Sequence, residues 1–401
     1  MLSKQKPLPQ QVDLNKNKKP QEQQTRICTF EELRGEFEIK REIGRGSYGV
    51  CFKGIKRDQN DVDENGKRRQ YAVKRIFPTI NAAFILIEML ILKLLNGESN
   101  VTDLICGYRL EGQVSLVFKY QKSKPFLTYL TTFNLDDIRK YMLALLKAVN
   151  HCSNYGVIHR DIKPSNFLYD PDTHTGLLID FGLSEIQVDQ QGKPMKLADN
   201  ETVKKIAELQ KTLKIKNRTG TKGYMPPEAL LNYHAQTSAV DIWACGVIFL
   251  SFLAQRHPIF SLNNSSKIKN FTISNLIPFV CLFGQNNIKE IAFKLGYGCL
   301  IPEEMQKERL DWRDICKIHD DDAFDLLNRM LELDHSKRIK PEDTLKHPFF
   351  TKNTMRNPQR TADDIEMKES FMQQNPQTHP TCDSDKPNYQ LNSKQSNQRN
   401  L

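Results

Sequence analysis

Some signatures of common protein classes are missing from this sequence. No two of its nine cysteines have C-x-x-C spacing, so the sequence predicts neither a structural zinc site nor a disulfide framework. We expect reduced, intracellular thiols. The cysteines stand singly, at positions 28, 51, 106, 152, 245, 281, 299, 316 and 382. No internal repeat is detectable, which argues against a repeat architecture.

Long apolar runs are also missing. The first ten residues, MLSKQKPLPQ, contain no apolar stretch of the kind that a secretory signal needs, so no leader is expected. The longest nearly apolar run extends from Ala239 to Ala254 and includes Asp241. Its sixteen residues are short for a membrane span, so the run predicts a buried core helix and no membrane association.

What is present is an ordinary globular composition with an excess of positive charge. The 401 residues are 39% hydrophobic and 26% charged, and a chain of this length can bury a sizeable core. The net charge of +10 fits a solvated basic surface, or else an acidic or phosphorylated partner or nearby nucleic acid. No feature of the sequence requires direct nucleic-acid binding.

Composition divides the chain into three regions. Residues 1–34 and 352–401 are rich in Lys, Gln, Asn and Pro, so both predict disordered polar tails. Residues from about 35 to 121 carry strand-like runs and one apolar helical run, and residues from about 122 to 351 are mostly helical. The sequence therefore predicts an α+β, bilobal fold, with a small β-rich N-lobe, a larger α-helical C-lobe and a ligand cleft between them.

A glycine-rich segment follows the first strand-like run. Gly44, Gly46 and Gly49, with Ser47 between them, form a G-x-G-x-x-G pattern. A dinucleotide-binding turn with this pattern would open a helix, whereas here the strand-like VCFKGI follows. The pattern therefore predicts a hairpin whose bare backbone can approach phosphate groups, although a plain glycine-containing hairpin would look the same.

A lysine and a glutamate further along the chain suit the same kind of ligand. Lys74 ends the strand-like YAVK, and Glu88 is the only acid in the apolar helical run between Ala82 and Leu95. A carboxylate among apolar residues needs a cationic partner, and Lys74 is the expected one. Such a pair would hold the lysine against the α- and β-phosphates of a nucleotide. The alternative is that Glu88 lies on a solvated helix edge.

Four polar residues suit phosphoryl transfer. HRDIKPSNFLYD contains Asp161, Lys163 and Asn166, and LLIDFGLS places Asp180 at the end of an apolar strand. Carboxylate and amide oxygens suit Mg²⁺, so Asn166 and Asp180 are the candidate metal ligands. Transfer from ATP needs positioning and charge neutralisation more than covalent chemistry. Asp161 is the candidate that orients the hydroxyl and accepts its proton, and Lys163 the candidate that stabilises the moving γ-phosphoryl group.

Taken in order, these motifs resemble those of the eukaryotic protein kinases. GRGSYG, YAVK, HRDIKPSN, DFG, GTKGYMPPE and DIWACGVIFL occur in the family's order between about residues 37 and 351. The resemblance implies a serine/threonine protein kinase, because Lys163 and Thr221 are the choices of that class. It also implies an adenine site lined by Ile43, Cys51, Ala72 and Leu168, with Phe118 at its back wall. Asp241 would support the catalytic loop, and Glu228 would pair with Arg338.

The details are most similar to one group of kinases. GVIHRDIKPSNFLYD, LLIDFGLSE, DIWACGVIFLSFLAQRHPIF and FVCLFGQNNIKEIAFKLG resemble segments of the cell-division-cycle-seven kinases. This resemblance implies a nuclear kinase of DNA replication initiation that needs a Dbf-type regulatory subunit and phosphorylates MCM helicase subunits. It also implies a preference for acidic or phosphorylated residues after the target hydroxyl, which Lys222 would fit. Without the resemblance, a cytoplasmic location would be expected.

The segment after the DFG motif is long and lacks the usual phosphorylation positions. Its insertion, at about residues 185–218, contains a basic stretch that predicts a short helix, either a solvated insert or a docking surface. The usual activation-site positions hold Lys216 and Asn217, and Thr219 is only a weak candidate. Arg160 therefore has no evident phosphate partner in its own loop. We hypothesise that a bound regulatory subunit activates the chain instead.

Two other interpretations stay open on the sequence. A casein-kinase-one-like enzyme shares the short lysine-to-glutamate spacing and a similar DIKPSNF loop, and it would act without a subunit. The PPE motif and its arginine partner argue against it. The other interpretation is a scaffold that binds nucleotide without catalysis, although Lys74, Asp161, Asn166 and Asp180 are all present.

Overall fold

The N-terminal lobe is built on a five-stranded antiparallel sheet. The computed structural model describes residues 30–189, 191–213, 220–233, 236–260, 276–298 and 308–352. The strands of the sheet are β1 (Phe37–Arg45), β2 (Gly49–Lys56), β3 (Gln70–Ile76), β4 (Leu104–Leu110) and β5 (Gln113–Lys119). They follow the order β1-β2-β3-β5-β4, and the strand-like runs predicted in this region are therefore confirmed.

One helix, α1 (Ala82–Leu95), lies between β3 and β4 in the chain. Asn81 caps its first turn, because its side chain accepts a hydrogen bond from the backbone N–H of Ala83. The helix ends where Asn96 takes a left-handed conformation, just before Gly97. Ile87, Ile91, Leu92 and Leu95 of α1 join the same core as the helices of the second lobe, so α1 links the two lobes.

The second lobe is mostly helical. Its helices are α2 (Leu135–Asn154), α3 (Glu201–Thr212), α4 (Pro227–Leu230), α5 (Ala239–Ala254), α6 (Ile277–Phe283), α7 (Gln285–Lys294), α8 (Trp312–Ile315), α9 (Asp321–Met330), α10 (Pro341–Thr344) and α11 (Pro348–Thr351). It also contains the antiparallel strand pairs β6 (Val157–Ile158) with β9 (Glu185–Ile186) and β7 (Phe167–Asp170) with β8 (Thr175–Leu178). The predicted α+β, bilobal fold is confirmed.

Two helices form the centre of the second lobe. Helix α2 begins with a capping box, in which the side chains of Asn134 and Asp137 each accept a hydrogen bond from the other's backbone N–H. All sixteen residues of α5 are buried, so the longest apolar run is the predicted core helix. Within the described ranges, the structure contains no helix with the length and apolar character that a membrane crossing needs.

Backbone hydrogen bonds hold the C-lobe loops beside the N-lobe. The N–H of Thr102 donates to the carbonyl of Leu178 over 2.9 Å, and the N–H of Leu178 donates to the carbonyl of Asn100 over 2.7 Å. The segment that follows α1 is thereby tied to β8, the strand that leads to Asp180. Residues on α1 and residues that follow β8 are consequently neighbours in space.

In two segments the structure departs from the domain bounds that the sequence predicts. Residues 30–34, assigned to the first tail, form a 3-10 turn in which Glu32 is buried and lies 3.0 Å from the Arg75 guanidinium of β3. Glu185–Ile186, assigned to the start of the insertion, is strand β9 and pairs with β6. Apart from Lys352, the remaining residues of both predicted tails lie outside the described ranges.

The insertion contains the predicted helix, α3. Asn200 caps it by accepting hydrogen bonds from two backbone N–H groups. Val203 and Ile206 are fully buried, and Leu209 and Leu213 pack against the same core. The helix lies against α1, so its apolar face is covered within the chain and the interpretation as a fully solvated insert is wrong.

Candidate active site

The glycine-rich hairpin borders the cleft. The N–H of Gly46 donates to the carbonyl of Gly49 over 2.9 Å and closes the turn between β1 and β2. A Cβ atom on Gly49 would lie 2.3 Å from the carbonyl oxygen of Arg75, so a larger residue would push β2 away from β3. A Cβ atom on Gly44 or Gly46 would meet nothing within 4 Å. These two backbone positions therefore face open space, which a phosphate group could fill.

Lys74 lies between two carboxylates. Its Nζ is 2.6 Å from Glu88 Oε1 and 2.9 Å from Asp180 Oδ1. This distance confirms the predicted pairing of Glu88 with Lys74. Because Glu88 is buried, the alternative of a solvated helix edge is wrong. Burial alone would lower the pKa of Lys74, but the two carboxylates outweigh burial and raise that pKa above its ordinary value. For the Asp180 carboxyl, burial alone would raise the pKa, but the positive charge of Lys74 holds that pKa below its usual range.

Three of the residues predicted to line the adenine site lie on neighbouring strands of the N-lobe sheet. Ala72 and Phe118 are cross-strand neighbours on β3 and β5, and Cys51 lies opposite Lys74 across β2 and β3. Burial raises the pKa of the Cys51 thiol to about 11, so the thiol is neutral at pH 7. The partly buried residues of this set are Ile43, Cys51, Ala72, Phe118 and Leu168, and Ser47 is exposed in the hairpin turn.

Asp241 holds the backbone of the loop that contains Asp161. Its Oδ2 accepts the backbone N–H of His159 over 2.7 Å, and its Oδ1 accepts that of Arg160 over 2.8 Å. Arg160 has a φ of 69°, which is a strained left-handed conformation for a residue with a side chain. One buried carboxylate therefore fixes the strained turn that aims Asp161 into the cleft. Burial raises the pKa of Asp241, and the neighbouring His159 and Arg160 oppose that rise.

Asp161 is the centre of a hydrogen-bond network. Its Oδ1 accepts from the backbone N–H of Thr221 over 3.0 Å and from the Thr221 hydroxyl over 2.6 Å. Its Oδ2 accepts from the Asn166 amide over 2.9 Å and lies 2.8 Å from Lys163 Nζ. Lys163 also donates to the Thr221 hydroxyl oxygen over 2.7 Å. The structure thus brings Thr221 together with three residues of the HRDIKPSNFLYD segment.

Asn166 and Asp180 bring oxygen donors to the same side of the cleft. The Asn166 amide N–H groups donate to the carbonyl and the carboxylate of Asp161, which leaves the amide oxygen as the atom that can face a cation. The N–H of Ile179 donates to the Asn166 carbonyl over 2.9 Å, so Asn166 lies beside the residue that precedes Asp180. One carboxylate and one amide oxygen fit Mg²⁺, which binds few protein ligands and shares its shell with phosphates and water.

Arg160 is held by two residues that the sequence analysis did not identify. Its guanidinium lies 3.1 Å from Glu185 Oε2 on β9 and donates to Gln236 Oε1 over 2.6 Å. Both side chains are buried: that of Arg160 is 5% exposed and that of Glu185 is 7% exposed. An acid three residues after the DFG motif is the one sequence signal that could have pointed to this pair.

The segment around Thr221 contributes one further candidate. Lys222, which would fit the acid preference that the resemblance implies, is exposed next to Thr221. Lys216, Asn217 and Thr219, the positions considered for an activating phosphate, lie outside the described residues.

Comparison with known proteins gives one family and several relatives. Residues 37–350 match the protein kinase domain, so the chain belongs to the protein kinase family. It is similar to the probable cell division control protein 7 homolog 1 of Encephalitozoon cuniculi, with 33% identity over 77% of this chain and 90% of that protein. It is also similar to the cell cycle serine/threonine-protein kinase hsk1 of Schizosaccharomyces pombe, with 30% identity over 80% of this chain and 74% of that protein.

Within this family, the chain is a serine/threonine protein kinase of the cell division control protein 7 type. The resemblance of the sequence to the cell-division-cycle-seven kinases is thereby confirmed. It is favoured over the casein-kinase-one-like alternative. The relative hsk1 is named as a serine/threonine-protein kinase, so the chain is an enzyme rather than a scaffold. A protein kinase domain implies ATP, a divalent metal that is typically Mg²⁺, and protein substrates.

Proposed function

We propose that this chain is a subunit-activated, acid-directed serine/threonine kinase of DNA replication initiation that works in the nucleus. The observation that carries its chemistry is the network around Asp161, which joins Lys163, Asn166 and Thr221 within hydrogen-bonding distance. A carboxylate that already accepts a hydroxyl hydrogen bond from Thr221 can accept one from a substrate Ser or Thr. Asp161 is therefore the residue that orients the attacking hydroxyl and finally receives its proton.

The other site residues position ATP and neutralise its charge. Lys74, fixed by Glu88, would hold the α- and β-phosphates beneath the backbone of Gly44 and Gly46. Asn166 and Asp180 would hold Mg²⁺, which when bound offsets the negative charge of the phosphates. Lys163 supplies a positive charge beside Asp161, where the γ-phosphoryl group must pass during transfer. The adenine would lie among the apolar residues Ile43, Cys51, Ala72 and Leu168, against Phe118.

The biological setting of the proposal rests on similarity. The two relatives named above are a probable cell division control protein 7 homolog and a cell cycle kinase, which supports a cell-cycle role. By resemblance to that group, the activating partner is a Dbf-type subunit and the substrates include MCM helicase subunits. The loop positions 216 and 217 carry Lys and Asn, which cannot be phosphorylated as Ser or Thr can, and this supports activation by a partner.

Activation by a subunit predicts a low activity of the chain alone. We expect the purified chain to transfer little labelled phosphate to acidic Ser/Thr peptides, and to gain at least about tenfold in kcat with a co-expressed Dbf-type subunit, because a partner must stabilise the competent arrangement. The measurement is initial-rate transfer from labelled ATP, with each preparation matched for ATP binding. Full activity of the chain alone would refute the need for a subunit and leave the kinase chemistry intact.

The exposed Lys222 predicts a preference for acidic residues after the target hydroxyl. Lys222→Ala is expected to lower kcat/KM for a peptide with an acid at that place by about fivefold, because one charge pairing of about 1 kcal/mol is lost. The rate on a peptide with a neutral residue there and the KM for ATP should not change. Lys205→Ala, on an exposed part of α3, is the matched control. An unchanged peptide profile of the Lys222 variant would contradict the assignment.

A further inference from the structure

Arg160 holds a position next to Asp161 and is already neutralised within the chain. Its guanidinium meets Glu185 at 3.1 Å and Gln236 at 2.6 Å, and its backbone N–H is bound by Asp241. A guanidinium this deeply buried needs a nearby anion, because burial of an unpaired charge is strongly unfavourable. The carboxylate of Glu185 supplies that anion.

The position of Glu185 is fixed by the pairing of two short strands. Glu185 on β9 lies opposite Ile158 on β6, and Arg160 follows Ile158 by two residues. The Ser184 hydroxyl, next to Glu185, donates to the carbonyl of His159 over 3.3 Å. The strand that carries the acid and the loop that carries Arg160 and Asp161 are therefore joined through their backbones as well as through the ion pair.

The inserted helix α3 holds the same strand from its other side. The Gln210 amide oxygen accepts the backbone N–H of Ile186 over 2.8 Å, and the amide nitrogen donates to the Ile186 carbonyl over 3.2 Å. Gln210 is buried, and α3 also lies against α1, which carries Glu88. One side chain of the insertion therefore satisfies both backbone groups of the residue that follows Glu185.

We propose that Glu185 is a positioning residue that acts as a resident anion on Arg160, in the role that a phosphate on the activation segment would otherwise have. The proposal rests on the proposed function, because it concerns the arrangement of Asp161 for phosphoryl transfer. A phosphate brought to Arg160 would meet the Glu185 carboxylate, and the repulsion between like charges disfavours its binding there. The arrangement around Asp161 thus depends on a charge encoded in the sequence and requires no modification of the loop.

The test compares charge-removing variants with removal of all phosphate from the wild-type chain. Glu185→Gln keeps the shape of the side chain and removes its charge, and it is expected to lower kcat about ten- to a hundredfold, since a small displacement of a catalytic group has effects of that size. The KM for ATP should stay within about twofold, because Lys74 and Glu88 are untouched. Glu185→Asp should retain more activity than Glu185→Gln. Glu201→Gln, an exposed acid of α3, is the matched control and should behave as wild type.

Phosphatase treatment gives the second, independent measurement. Wild-type chain treated until intact mass shows no phosphate, with its activating subunit present where needed, is expected to keep its full kcat. Loss of activity on this treatment would overturn the proposal, and so would a Glu185→Gln variant with wild-type kcat. This measurement can overturn the proposal even if Glu185→Gln does not fold, which a thermal melt would reveal.

A double variant separates the ion pair from other roles of Glu185. In Arg160→Gln the Glu185 carboxylate has lost its partner, so adding Glu185→Gln should cause little further loss in kcat, because the two residues act through one interaction. A double variant whose kcat falls by the product of the two single-variant losses would overturn the proposal. Absence of transfer by wild type in every preparation would instead count against the proposed function, whereas the ratio of variant to wild type tests Glu185 alone.

Discussion

Asp161→Asn is expected to lower kcat by about 10³-fold and to leave the KM for ATP within about twofold, because the carboxylate is the proposed proton acceptor and does not contact the adenine site. The substitution replaces one carboxylate oxygen by an amide N–H₂ group. Both carboxylate oxygens of Asp161 accept hydrogen bonds, Oδ1 from Thr221 and Oδ2 from Asn166. An asparagine can keep only one of these acceptors, so it loses the proton acceptor and part of the network together.

The measurement is steady-state transfer to a Ser/Thr peptide, with ATP binding followed separately by titration calorimetry. Asp321→Asn is the matched control, because Asp321 is an exposed aspartate whose partner, Arg313, lies far along the chain from the site. Asp161→Asn with more than about a tenth of wild-type kcat would reject Asp161 as the general base, since a positioned base contributes about 10²–10⁴-fold. Loss of ATP binding in the same variant would show that the substitution disturbs the whole cleft.

The sequence predicts those site residues whose neighbours in the chain make them conspicuous. Glu88 stands out because it is the only acid of an apolar helix, and that reasoning leads directly to Lys74. The predicted strands of the N-lobe follow from periodicity, and the structure contains them. Asp161, Asn166 and Asp180 are predicted because they lie in two short motifs, HRDIKPSN and DFG, whose residue types suit phosphoryl transfer.

The sequence does not predict contacts that depend on very short strands or on distant segments. The pairing of Arg160 with Glu185 requires β6 and β9, which have two residues each and leave no periodic pattern. Gln236 reaches Arg160 from a separate segment 76 residues further along. The 3-10 turn at Glu32 is hidden because the polar composition of the preceding tail dominates that region, whereas distant residues hold the turn. Glu32 pairs with Arg75 and accepts a hydrogen bond from the Ser115 hydroxyl.

The second large effect is expected on stability, at the ion pair between Glu228 of α4 and Arg338. The guanidinium binds both carboxylate oxygens, over 2.6 Å and 3.1 Å, and the two side chains are 1% and 0% exposed. Arg338 also donates to the carbonyls of Ala239 and Glu332 and lies over the Trp243 ring. Glu228→Gln leaves this buried guanidinium without a counter-charge, so we expect the free energy of unfolding to fall by about 3–5 kcal/mol.

Urea unfolding of the Glu228→Gln chain, followed by tryptophan fluorescence, measures this loss, with Asp343→Asn as the control at an exposed pair. The control should stay within about 0.5 kcal/mol of wild type, because surface ion pairs contribute little. Replacing both partners, as Glu228→Leu with Arg338→Met, should recover part of the loss, since much of the cost comes from leaving one charge buried alone. Recovery stays incomplete because two backbone carbonyls lose their donor. A Glu228→Gln chain as stable as wild type would mean that the pair fixes the position of α4 without contributing to stability.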